Sequence, residues 1–158
     1  MTQKILAPCV VAALVLLAGG IGAGPSAGSV TAQERPDFRH ALDNAPIEFE
    51  YRPKQVITPQ VEEFYRTLEN PYRGDTEAIA AGKKIYAKLC KACHLKSGTG
   101  RIGPNLVDDR WKYPRTGTDQ GKFEIIYAGG AGAMQAFGRR MDQDDILKVM
   151  AYLEVLGK

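Results

Sequence analysis

The sequence predicts an all-α domain, and three observations carry that expectation. Apolar residues recur at helical spacing in three stretches beyond residue 58. No segment reads as a βαβ unit. The second stretch closes on Cys90-Lys91-Ala92-Cys93-His94, where two thiols three positions apart lie on one helical turn. That spacing lets them bond the two vinyl groups of one haem, with the adjacent histidine as the iron's proximal ligand.

The elements follow in chain order. Residues 1–32 read as a secretory signal peptide: Lys4 gives a positive start, Val10 to Leu17 is an unbroken apolar run, and Val30-Thr31-Ala32 before Gln33 fits a cleavage site. The run is short for a membrane span of about 20 residues, and glycines interrupt it from Gly19 onward; an uncleaved anchor is the alternative. Cys9, after Ala7-Pro8, lies too near the start to read as a lipid-attachment site. Cleavage places the mature chain in the periplasm without stable membrane insertion. It leaves about 126 of the 158 residues and two cysteines, both in the motif, so nothing remains for a structural disulfide. A buried porphyrin would compensate, at roughly 25 cal/mol per Å² of apolar surface removed from water.

Residues 33–74 read as an N-terminal arm and a short helix. Four prolines (Pro36, Pro46, Pro53, Pro59) break up the arm, while Ile47, Phe49 and Tyr51 alternate as in a short strand. Thr58-Pro59 reads as an N-cap and first helical residue. Val61, Phe64, Tyr65 and Leu68 then make one apolar face, which Asn70-Pro71 ends.

Residues 75–158 read as the haem domain. Asp75 or Thr76 caps a helix through Ile79, Gly82, Ile85, Tyr86 and Leu89 into the motif. A mid-helix glycine costs about 1 kcal/mol relative to alanine, so Gly82 implies close approach of another helix. The last helix is the partner: Asp142 as cap, then Ile146, Val149, Met150, Leu153 and Leu156 on one face, with Gly157 past the end. Tyr152 is the aromatic expected to lie across Gly82.

Other chemistries of CxxC fit less well. A closed structural zinc site needs four ligands, and outside the motif the chain offers only Cys9 and His40. A thioredoxin-like pair belongs near a βαβ pattern.

The formal charge of +3 hides an asymmetry. Residues 34–82 carry 6 basic and 10 acidic side chains, residues 83–140 carry 12 and 4, and residues 141–158 carry 2 and 4. Positive charge is concentrated in the haem-bearing segment. Such a field speeds encounter with an acidic partner; compensation of the haem propionates on an ordinary solvated surface is the competing explanation. Nucleic acid is not an expected partner for an exported haem protein, and a monomer is expected.

Gly82 with Tyr86, the CxxCH motif, Gly103-Pro104-Asn105-Leu106, a methionine near Gly129-Gly130 and a final amphipathic helix resemble class I cytochrome c. That resemblance covers residues 76–157 and implies first and last helices crossing over one covalent haem. Phe38-Arg39, Thr58-Pro59, Trp111-Lys112-Tyr113-Pro114, Thr118-Asp119 and Gly129-Gly130-Ala131-x-x-Met134 further resemble cytochrome cL, from about residue 37 onward. That family comprises electron acceptors of quinone-dependent methanol dehydrogenases, including lanthanide-dependent ones. The sequence stops at Lys158 without the C-terminal extension of longer members, and its haem segment is basic where some members are acidic.

The resemblance implies that the Pro104 carbonyl holds the second ring nitrogen of His94, which fixes its tautomer. For the sixth ligand the choice is among Met134, Met141 and Met150. Met150 lies on the apolar face of the last helix, where methionine is core, and Met141 immediately precedes the Asp142 cap. Met134 lies in a flexible glycine-rich loop and matches the family's ligand position. Cys90 and Cys93 are expected to hold the haem covalently, and His94 and Met134 to ligate iron. Trp111, Tyr113, Tyr127 and Phe137 are expected to exclude water from it, and Arg101, Trp111 and Lys112 to serve its propionates.

Two filled axial positions imply a carrier, not an enzyme. The leading expectation is a periplasmic acceptor of single electrons from a pyrroloquinoline quinone (PQQ)-dependent methanol dehydrogenase, passing them to a downstream cytochrome or terminal oxidase. A general shuttle between a quinol-oxidising complex and an oxidase is the alternative. A peroxidase or gas sensor would need an open iron site.

Overall fold

The computed structural model describes residues 36–50 and 53–158; the leader, its cleavage site, Cys9 and Tyr51 lie outside them. Helix α1 (Pro59–Thr67) starts where the extended Thr58 accepts a hydrogen bond from the Val61 amide on its side chain, with Pro59 in the first turn. It stops at Leu68, a left-handed residue whose N–H returns to the Phe64 carbonyl. Asn70 then ties the turn to the rest of the molecule: its backbone N–H donates to Asp119 and its side-chain amide to the Leu147 carbonyl, each at 2.9 Å.

Asp75 is the cap of α2 (Thr76–Leu89), its carboxylate accepting from the amides of Glu77 and Ala78. The single turn α3 (Lys91–His94) carries the motif. A 3₁₀ turn at Pro114–Gly117 leads into α4 (Asp119–Ala128), and α5 (Gln143–Leu153) closes the fold behind Asp142 at its N-cap. The apolar pattern extends to Leu156, yet regular helix ends at Leu153. The chain then winds through looser turns to Gly157, which has φ +97°.

Helices α2 and α5 make the main helix–helix contact. A Cβ built on Gly82 would lie 2.0 Å from the Lys148 carbonyl oxygen and 3.0 Å from the Val149 nitrogen. The close approach inferred from Gly82 is therefore backbone against backbone. The groups nearest Gly82 are thus backbone and not the Tyr152 ring, which lies one turn further on and 5.3 Å from that of Tyr86 at 63°. With only a hydrogen at Gly82 the backbones can approach this closely.

Helix α4 was not foreshadowed by periodicity, and its burial explains why. Gly121, Phe123, Glu124, Ile126 and Tyr127 are all buried, so apolar residues and a carboxylate alternate around the helix without forming one stripe. Gly121 is required where α4 meets the 3₁₀ turn, because a Cβ there would lie 1.9 Å from the Arg115 carbonyl oxygen.

The arm belongs to the same core. Phe38 and Ile47 are buried with Val61, Phe64, Phe123 and Ile146, and Phe38 packs within 6.0 Å of the rings of Phe49, Phe64, Tyr65 and Phe123. The in–out alternation expected of Ile47 and Phe49 is present, but no strand forms among the described residues. Arg39 and Pro46 make one isolated bridge, and the Ile47 N–H donates to the Phe38 carbonyl at 2.9 Å. The extended segment has aromatic side chains, not a neighbouring strand, as its partner. Glu124, 0% exposed, anchors the arm electrostatically by accepting from the Arg39 backbone N–H at 2.9 Å and from the Arg115 guanidinium at 2.8 and 2.5 Å. A carboxylate this deep is tolerable only when paired.

Candidate functional site

The end of α2 builds the site. The Cys90 N–H still bonds the Tyr86 carbonyl, and the Cys90 carbonyl accepts from the amides of Cys93 and His94 at 3.1 and 3.0 Å. One tight turn thus places both thiols and the imidazole on the wall of a single cleft of about 470 Å³. The half-buried Cys90 thiol is pushed up to about 11, first by burial and then by Cys93. A redox-active CxxC has its thiol lowered instead. Among the described residues no group of three or more His, Cys, Asp or Glu is placed to hold a metal ion.

His94 is buried, and its Nδ1 lies 2.9 Å from the Pro104 carbonyl oxygen. That carbonyl can only accept, so Nδ1 carries the proton and Nε2 keeps the lone pair for a metal. Gly103 makes room for the ring: a Cβ there would lie 2.4 Å from His94 Cε1 and 2.8 Å from Nε2. The intervening loop turns on the Cys93 carbonyl, which accepts from the amides of Arg101, Ile102 and Gly103.

Of the methionines beyond the motif, Met134 alone lines the cleft. Met141 and Met150 are 3% and 1% exposed within the core. The loop bearing Met134 is not the free segment its glycines suggest. The Ala131 N–H donates to the Tyr113 hydroxyl at 2.9 Å, the Gly130 N–H to the Met134 carbonyl at 3.1 Å, and the Phe137 N–H to the Ile126 carbonyl at 3.1 Å. The glycines serve geometry here: Gly129 has φ +85°, and a Cβ on it would meet the Met134 carbonyl at 2.9 Å.

Trp111, Lys112, Tyr113 and Phe137 also face the cleft. Tyr127 does not; it stacks on Phe123 and packs edge-on to Phe49 in the aromatic core. Arg101 is likewise outside the wall, exposed, with its guanidinium turned 3.4 Å from the Ala92 carbonyl. The amides of residues 101–103 all aim at one carbonyl, which directs the Arg101 side chain outward. Four cations that sequence reasoning missed do line the cleft: Arg110, Lys122, Arg140 and Lys158. Lys122 sits with Nζ 5.6 Å from the Trp111 ring and 3.4 Å from Asp119, and Arg140 lies over Phe137. Lys122 belongs to α4, whose uneven pattern concealed its orientation. Two thiols, an imidazole with a free Nε2, a thioether, apolar walls and cations in one cleft fit a covalent haem. When bound, that group supplies a one-electron iron couple.

The description "Cytochrome C oxidase, cbb3-type, subunit III" belongs to the family model that matches residues 77–153. Cytochrome c-L of Methylorubrum extorquens is 34% identical over 99 residues, 63% of this chain and 50% of that protein. A cbb3-type cytochrome c oxidase subunit FixP from a Bradyrhizobium strain is 38% identical over 111 residues, 67% of this chain and 36% of that one. The chain thus spans half or less of these two relatives. The crystal structure of cytochrome cL from the marine methylotroph Methylophaga aminisulfidivorans superposes with a TM-score of 0.74 at 34% identity, covering 77% of this chain and 81% of that one.

A CxxCH turn leading out of the first of two packed helices, over a cleft that a loop methionine also lines, defines a class I c-type cytochrome carrying one covalent haem c. Within that class the chain belongs to the cytochrome cL family.

Proposed function

We propose that this cytochrome works in the periplasm, accepting single electrons from a PQQ-dependent methanol dehydrogenase and passing them to a downstream cytochrome or terminal oxidase. The observation that carries the reading is the likeness to a solved cytochrome cL across 77% of the chain, since it takes in more than the haem-binding core common to many cytochromes. Residues 1–32 act as the export signal, residues 33–74 as the arm and first helix, and residues 75–158 as the haem domain. Among the described residues no helix is long and apolar enough to cross a membrane.

The residues divide the work. Cys90 and Cys93 would hold the porphyrin covalently, and His94 and Met134 would ligate its iron, which would then carry electrons without binding substrate. Pro104 holds the His94 tautomer. Trp111, Lys112, Lys122 and Arg140 serve the propionates, and Arg101 stands on the outer face. Ile102, Ala131 and Ala133 line the cleft and are exposed, as is Lys112, and the exposed cations Lys91 and Arg101 adjoin Cys90 and Ile102 in the chain. Such a surface suits an acidic docking face.

A second reading has support of its own. The family model and the FixP likeness connect residues 77–153 with cbb3-type oxidase subunits, and under that reading the protein delivers electrons directly to an oxidase without a dehydrogenase partner. Mixing the ferric protein with PQQ-dependent methanol dehydrogenase and methanol at low salt separates the two. Haem reduction within the turnover time of the dehydrogenase is the expected result. No reduction there, with rapid oxidation of the ferrous protein by a cbb3-type oxidase, would transfer the assignment to the second reading.

A further inference from the structure

We propose that Tyr86 is a positioning residue for the proximal histidine: its hydroxyl holds the carbonyl of Leu95, the strained residue directly after His94, and so fixes the turn on which the imidazole stands. Leu95 has φ 64° and ψ 166°, a combination that residues with a Cβ rarely adopt and that persists only where surrounding structure over-determines it. No glycine relieves it. The Leu95 N–H bonds the Lys91 carbonyl at 2.9 Å, which fixes one side of the residue. On the other side the Tyr86 hydroxyl donates to the Leu95 carbonyl at 2.7 Å, shorter than that carbonyl's second bond, from the Gly98 amide at 3.3 Å.

Tyr86 is well suited to act as a fixed post. It is 2% exposed, lies one turn beyond the Gly82 contact with Lys148, and is braced edge-on by Tyr152 of α5. Placement of the last helix is therefore transmitted through Tyr152 and Tyr86 to Leu95 and the backbone of His94. The ring's other restraints, the Pro104 carbonyl and the space beside Gly103, come from a different loop. A relaxed Leu95 would turn the His94 backbone while those contacts stayed in place, and the imidazole would tilt.

The inference rests on His94 ligating iron, and the test keeps the two apart. In the ferric holoprotein the haem methyl proton resonances report the plane of the axial imidazole. Tyr86→Phe is expected to shift them and the midpoint potential. Leu95→Gly removes the conformational penalty at φ 64°, so in that background the same Tyr86→Phe change is expected to shift them far less. Unmoved resonances in Tyr86→Phe, or an equal shift in both backgrounds, would overturn the proposal; a packing role alone would lower only the unfolding midpoint. Absence of a low-spin histidine–methionine spectrum in the wild type would sink the ligand assignment instead.

Discussion

Met134 reaches the cleft from a loop whose amides are bonded to Tyr113, to Met134 itself and to Ile126. A thioether held in this way is delivered to one place, so a sulfur–iron bond formed there would not be opposed by a large ordering entropy. Met134→Ala is expected to abolish the near-infrared methionine–ferric band and lower the midpoint potential, because a thioether favours ferrous iron. It should also open the iron to carbon monoxide, which a titration of the ferrous protein would record as tight binding absent from the wild type. Retention of the band would reassign the sixth ligand. At this scale the sequence was most legible where chemistry fixes spacing, as in Cys90, Cys93 and His94. It was least legible where a side chain's direction depends on backbone bonds far from it. Arg101 and Lys122 are both cations near aromatic or haem-binding segments, and only the structure separates the outward one from the one on the cleft wall.

At the scale of elements, two contacts decide how the helices assemble. Helix propensity alone says that Gly82→Ala should stabilise α2 by about 1 kcal/mol. The Lys148 carbonyl 2.0 Å from the new Cβ reverses the sign: the crossing must open, at a cost of about 3 kcal/mol, which urea unfolding of the holoprotein would measure. Asp144 on α5 is the second contact. Its carboxylate accepts from Thr58 at the start of α1 and from Tyr72, both at 2.8 Å, and from Lys148. Burial pushes its acidity one way, but the bonds from Lys148, Thr58 and Tyr72 outweigh it and leave the group below its ordinary 3.8. A depressed folded-state value stabilises the protein fully above 3.8 and loses that contribution as pH falls through the lowered value. Asp144→Ala should therefore cost about 2 kcal/mol at pH 7 and leave a shallower acid limb, read from denaturant midpoints at pH 7 and below pH 3. Amphipathic α1, α2 and α5 were visible in the chain because each buries one face. Helix α4 was not, since it is buried on several sides; the arm was legible as an extended segment, but its alternation serves an aromatic core in place of a sheet.

Across the whole molecule, charge is segregated along the chain: a balance of −4 over residues 34–82 against +8 over residues 83–140. Within the basic stretch, folding holds two of its four carboxylates in ion pairs, Asp119 with Arg73 and Lys122, and Glu124 with Arg115. By contrast Lys91, beside Cys90, Arg101, beside the cleft-lining Ile102, and Lys112 on the cleft wall remain exposed. A field of this kind acts on encounter and not on the transfer step, and its reach follows the Debye length, about 10 Å at 0.1 M salt and 3 Å at 1 M. With an acidic electron donor, the second-order rate of haem reduction should fall about tenfold or more across that range. The rate at saturating donor should stay nearly constant. Lys91→Glu and Arg101→Glu should each reproduce the high-salt rate in part at low salt, without altering the midpoint potential beyond a small electrostatic shift. Stopped-flow reduction over a salt series checks all of this. A rate that rises with salt would show that the donor's face is basic, and docking would then have to use the acidic arm.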